Sequence, residues 1–364
     1  MLPYWCLFLV AAGMAVRKRH GVLGPYAGSR GGLWGLFFVV LGVVIGLRHE
    51  VGGDWYNYLR ILELARRELL PEALTKKDPA YALINWFAAN RWGDIYLVNS
   101  VCALFFSWGL YAFCRAQPRP WLAVVVAMPY LITVVAMGYA RQGVAIGLAM
   151  LALVALGQGR VLRFLLWMIL AASFHKTAVV LMPLAVFFIH QPRFRWLARA
   201  AVVLMALLLY YFLLRDSVSH YYESYVRAGY DSSGATIRIA MNALPALVFL
   251  GWRQRFVLSI SERWFWTVMS LFALGFVVLL YQSTSSTAVD RIALYWIPLQ
   301  IFVWSRFPDA MAGVSLRVRT SCVWGVIGYS GAVLFTWLFF AVHAFAWVPY
   351  RFYPWVAFME WFRQ

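Results

Sequence analysis

Charge is scarce in this sequence. Only 13% of its 364 residues are Asp, Glu, Lys or Arg, about half the share a soluble domain uses to cover its surface. That shortage excludes a soluble globular enzyme. A hydrophobic content of 63% and a mean hydropathy of +0.72 exclude a disordered or fibrous chain. Cysteine is sparse too. Cys6, Cys102, Cys114 and Cys322 lie within or at the ends of apolar runs and form no CxxC pair, so they read as small buried hydrophobes. There is no HxxxH, no DxD and no His/Cys cluster, so no metal is expected. No Walker loop is present, which argues against ATP-driven transport, and no nucleophile elbow supports a Ser/His/Asp triad. The first apolar core has no basic leader in front of it, so no cleavable signal peptide is expected.

What the chain does have is a succession of continuous apolar runs. Many approach the roughly 17–25 residues that cross a bilayer as a helix, and their lack of alternation excludes a transmembrane barrel. The expected fold class is all-α: one polytopic integral membrane domain over residues 1–364 with about twelve transmembrane helices. The expected spans are 2–16, 32–48, 95–114, 120–137, 142–157, 161–174, 177–190, 197–214, 238–252, 264–281, 290–305 and 320–342.

The net charge of +18 invites a nucleic-acid reading, but in a membrane chain the simpler cause is retention of Lys and Arg on the cytoplasmic side. The count agrees. With 17–30, 115–119, 158–163, 191–199, 252–263 and 305–319 inside, that face carries 17 Lys/Arg and only two acids, Glu262 and Asp309. The other face carries 15 Lys/Arg and 12 acids, giving an N-out, C-out topology.

Two long segments fall on the outer face, 49–94 and 215–237. In the first, Tyr58, Ile61, Leu62, Ala65 and Leu69 recur at helical spacing, with Arg60, Glu63, Arg66 and Arg67 off that stripe. This predicts an amphipathic helix at the membrane surface, with Glu63 and Arg67 spaced as an i,i+4 pair. A second short helix is expected to start at Asp78, with Pro79 in its first position. The second segment holds Tyr221, Tyr222, Tyr225 and Tyr230, an interfacial belt or a sugar platform.

The informative ions stand at the ends of spans on this outer face: Arg48, Asp54, Arg141, His175, Lys176, Arg238, Asp290 and Arg291. An ion near lipid costs several kcal/mol unless it is paired or lines a wet cavity. Each has a structural alternative: Arg48 as a snorkelling helix-end cation, His175 as a satisfied buried histidine, Arg291 as the partner of Asp290. Outside 49–94 that face has few acids, so an external anion such as phosphate is a natural supplement to the arginines. His49-Glu50-Val51-Gly52-Gly53-Asp54-Trp55 reads as a tight loop whose glycines allow close backbone approach.

These residues form an ordered set. Arg48-x3-Gly52-Gly53-Asp54-Trp55-x2-Tyr58, Arg141-Gln142 opening a span, Ser173-Phe174-His175-Lys176-Thr177-Ala178, Asp290-Arg291-x3-Tyr295 and the closing Val348-Pro349-Tyr350 together resemble the EpsG family over most of the chain. That family comprises Wzy-type polymerases of bacterial exopolysaccharide and O-antigen. The pattern departs in Gly53, a second glycine before the acid where one usually stands. The resemblance implies a metal-independent, cofactor-free membrane enzyme of the glycosyltransferase C type, in the bacterial inner membrane with its active site facing the periplasm. It implies transfer of a glycan from undecaprenyl pyrophosphate onto a lipid-linked repeat unit, and a chain-length-regulating co-polymerase as partner.

With such a leaving group and no metal, cationic side chains must take up the developing charge. The expected pyrophosphate ligands are Arg141 and Arg291, supported by Arg48 and Arg238. The acceptor hydroxyl needs a base or an orienting group, for which His175 and Asp54 are the candidates, His175 narrowly preferred as base. Trp55, Tyr58, Tyr222 and Tyr225 are candidate sugar-stacking surfaces. An O-antigen ligase or a single-sugar polyprenyl-phosphate-dependent transferase would use the same cations. A lipid-linked glycan transporter would spread charge through the midplane of the spans, which here are nearly free of ions.

Overall fold

Apolar runs become helices because a backbone without water must satisfy its N–H and C=O groups within its own segment. The computed structural model describes residues 1–17, 32–188, 195–209, 211, 234–283, 285–312 and 315–363. Its helices are α1 (Leu2–Arg17), α2 (Gly32–Gly46), α3 (Trp55–Ala65), α4 (Leu70–Leu74), α5 (Pro79–Phe87) and α6 (Ile95–Arg115). Then come α7 (Pro120–Ala127, continued as wider turns over Met128–Ala136), α8 (Ala140–Gly157), α9 (Val161–Phe174), a 3-10 segment (Lys176–Phe188) and α10 (Arg195–Leu209). The chain closes with α11 (Ala235–Trp252), α12 (Ile260–Gln282), α13 (Ser286–Ala293), α14 (Ile297–Ala312), α15 (Leu316–Phe340) and α16 (Tyr353–Trp361). Among the described residues there is no strand, only an isolated antiparallel bridge between Arg48 and Phe352.

Each of the twelve apolar stretches expected to span overlaps described helix. By length and composition α6, α8, α11, α12 and α15 can each cross a bilayer, while α1, α2, α7, α9 and the 3-10 segment are shorter apolar helices. Their outer faces are apolar as well. On α9, Leu162, Leu166 and Ile169 are exposed while Phe164, Met168 and Ala171 are buried. Such a face is an aggregation hazard in water and an ordinary one in lipid.

The core gathers around α8, almost all of whose residues are buried. Small residues let its neighbours come close, as membrane helices do where lipid supplies no hydrophobic drive. A Cβ on Gly109 of α6 would run into the backbone of Gly147 of α8, and one on Gly46 of α2 would stand 2.8 Å from the Ser100 Cα of α6.

The outer segment 49–94 is helical but not as one long helix. α3 ends at Ala65, so Leu69, expected on its apolar stripe, lies beyond it and is exposed. Trp55, Tyr58, Leu62 and Ala65 form the buried face, and Glu63 pairs with both Arg66 (3.1 Å) and Arg67 (3.9 Å). α5 starts as expected, with Asp78 before Pro79. The segment 215–237 lies outside the described residues as far as 233, and Tyr222 and Tyr225 with it.

Candidate active site

The N-terminus of α8 and its cap carry three contacts within one turn, from Tyr139, Arg141 and Gln142. Tyr139 presents its ring to Arg291, whose guanidinium carbon is 5.3 Å from the ring centroid. Arg141 pairs through Nη1 with Asp78 Oδ2 at 3.0 Å and faces the Tyr81 ring at 5.6 Å. Gln142 is buried and donates from Nε2 to the Arg291 carbonyl at 2.6 Å, which ties α8 to α13.

His175 occupies the turn between α9 and the 3-10 segment. Its Nδ1 meets the Thr177 hydroxyl at 2.6 Å and the Tyr295 hydroxyl at 3.2 Å, and those hydroxyls are 3.3 Å apart. Burial, then the charges of Arg141, Arg291 and Lys176, push its pKa down from 6.5 to about 3. The imidazole is therefore neutral at pH 7, and the same shift makes it a weaker proton acceptor than a free histidine. Asp78, bound to Arg141 and to the Lys176 amide, and Tyr139 and Gln142, which meet Arg291, bring Arg141, Arg291 and His175 into one region.

Arg238 sits beside them on α11, bound through both oxygens to Asp290: Nε to Oδ1 at 2.8 Å and Nη2 to Oδ2 at 2.7 Å. Asp290 thus reaches across to another helix, where sequence proximity had offered Arg291. Asp54 precedes α3 without capping it, and its charge is felt by the phenols of Tyr58 and Tyr139. The loop that carries it is wedged. Gly52 has φ +107°, its amide donates to the Ala346 carbonyl at 2.8 Å, and a Cβ there would strike the Met137 carbonyl. The glycines thus bring Asp54 against the chain just before α8.

Three expected site residues are placed differently. Arg48 is 1% exposed, with its donors turned inward to the carbonyls of Ile45 (2.6 Å) and Val51 (3.2 Å) and to Asn99 Oδ1 (3.1 Å). It satisfies carbonyls at the end of α2 and holds the following loop. Trp55 and Tyr58 are buried rings, Trp55 beside His49 and Tyr96, Tyr58 against Tyr81, so neither offers an open stacking face.

Reasoning from sequence missed Asp78, Tyr81 and Thr177 as neighbours of these groups. Asp78 carried a signal, its place before Pro79, but that signal predicts a helix cap. Among the described residues no group of three or more His, Cys, Asp or Glu could hold a metal ion.

The fold and this cationic end define an all-helical protein built for a membrane, with a neutral histidine among arginines. A family model, that of the EpsG family, matches residues 32–352, most of the chain. The chain belongs to the EpsG family, which is associated with membrane polysaccharide polymerisation. No curated protein and no solved structure matches it.

Proposed function

We propose that this protein is a multi-pass glycosyltransferase of the bacterial inner membrane that polymerises a polysaccharide at the periplasmic face. It has about twelve spans and a glycosyltransferase C-like arrangement. Its donor and acceptor are undecaprenyl-pyrophosphate-linked oligosaccharides, and a chain-length-regulating co-polymerase is its partner. The observation that carries this reading is the grouping of Arg141, Arg291 and His175, joined through Asp78, Tyr139 and Gln142.

Arg141 and Arg291 receive the pyrophosphate and take up charge as the glycosidic bond breaks, the work a divalent ion does elsewhere. Arg238, neutralised by Asp290, supports them. The acceptor hydroxyl gives its proton to neutral His175 as the new glycosidic bond forms, and Asp54 orients the acceptor. Thr177 and Tyr295 both meet the imidazole at Nδ1, and Nε2 takes the proton in the tautomer in which Nδ1–H donates to one of these hydroxyls. Arg48, with its inward hydrogen bonds, serves as a support of the Asp54 loop.

The test is reaction of the purified protein in lipid nanodiscs with a synthetic lipid-linked repeat unit. A ladder of product lengths is expected. One fixed addition supports a ligase or single-sugar transferase instead, and movement of the intact lipid-linked glycan without a new bond supports a transporter.

A further inference from the structure

Asp78 stands where a helix cap belongs and does not cap. Before a helix that opens on Pro79, an aspartate ordinarily accepts from an early helix amide, worth about 1 kcal/mol. Here its carboxylate makes no cap hydrogen bond. One oxygen takes Arg141 Nη1 at 3.0 Å and the other takes the Lys176 backbone amide at 3.4 Å. A single partly buried carboxylate therefore joins three segments: the outer loop, the first turn of α8 and the turn that carries His175.

We infer that Asp78 is a positioning residue that fixes the Arg141 guanidinium beside His175 and leaves its outer edge for a ligand phosphate. This rests on the polymerase reading for the identity of that phosphate. The exposures give the direction of the clamp. The Asp78 side chain is 13% exposed and that of Arg141 36%, so of the two the arginine keeps the more accessible side chain. Tyr81 supports the guanidinium from its ring face. An arginine held in this way has already lost the rotamer freedom that ligand binding would otherwise remove, and its charge is aimed before the reaction starts.

The experiment compares wild type with Asp78→Asn, which keeps the shape and removes the charge, in nanodiscs. Two readouts are taken: the KM for the lipid-linked repeat unit, and the affinity for inorganic pyrophosphate by calorimetry. Asp78→Asn should raise both KM and the pyrophosphate Kd by about tenfold, with a smaller change in kcat. Asp78→Glu, which restores the charge, should recover part of the loss. A purely structural role would lower the melting temperature and leave both constants of the folded fraction alone. Adding Arg141→Lys to Asp78→Asn should cost less than the sum of the two single changes, because both act on one contact. Unchanged constants, additive losses, or tighter pyrophosphate binding in Asp78→Asn would each overturn the inference, the last by showing a carboxylate that competes with the ligand. If Asp78→Asn fails to fold, the same constants are read on Asp78→Glu, whose shifted carboxylate should weaken pyrophosphate binding by a few-fold relative to wild type, with an unshifted Kd overturning the clamp. A wild-type protein that forms no ladder counts against the polymerase reading alone, while the pyrophosphate measurement still decides the role of Asp78.

Discussion

Two arginines stand close to the same outer loop and do opposite things. Arg48 has three neutral oxygen partners and is sealed inside, while Arg141 is paired with a carboxylate and stays partly exposed. A guanidinium whose donors end on main-chain carbonyls is part of the frame. One that is neutralised yet still exposed can meet another anion. What separates them is the direction in which the donors point, which span-end position leaves open.

The sharpest way to break this comparison is at Arg141. Arg141→Ala should lower product formation by about 10²–10³-fold, as loss of a charge-stabilising donor does. Arg141→Lys keeps the charge but loses the two-pronged geometry and should recover only a small part. A wild-type polymer yield from Arg141→Lys in a complemented deletion strain would remove the phosphate role.

The same change at Arg48 should fall on the fold instead. Lys cannot reach Ile45, Val51 and Asn99 together, and each buried acceptor left bare costs about 1–3 kcal/mol. A drop in melting temperature is expected from Arg48→Lys, with KM unchanged in the protein that remains folded. A raised KM at unchanged stability would place Arg48 among the ligand contacts after all.

Gly52→Ala sharpens the comparison at the loop between the two. The left-handed backbone and the nearby Met137 carbonyl both resist a methyl group, at about 1–3 kcal/mol. Both stability and activity should fall, since Asp54 moves with the loop. Loss of stability with full activity would separate Asp54 from the reaction.

A further way to test the site is through pH. The His175 pKa is lower in the folded state, about 3 against 6.5. Its neutral form therefore contributes stability that is fully present above 6.5 and is lost as pH falls towards 3. Melting temperature measured from pH 7 to 4 should decline more steeply in wild type than in His175→Gln. Equal slopes would mean that the imidazole is not held neutral by its surroundings.

Much of the helical content could be read from composition. Proline and the residue before it marked the start of α5 correctly, since proline suits a first helical position. The end of α3 was read too far along, to Leu69, because apolar spacing continued past Ala65 while the backbone did not. At the site, the sequence nominated Arg141, His175 and Arg291, which the fold brings together. It also nominated Arg48 as a supporting cation and Trp55 and Tyr58 as stacking surfaces, and those side chains turn inward.

Sequence alone determined that this chain is helical and apolar, that its ions cluster at helix ends, and which family it belongs to. These follow from local chemistry: a long apolar run has few ways to satisfy its backbone, and short motifs keep their spacing. Tertiary structure decided the partners. Asp78 meets Arg141 across 63 residues and Arg238 meets Asp290 across 52. Such pairings depend on how helices are rotated against each other, and no local pattern encodes that rotation.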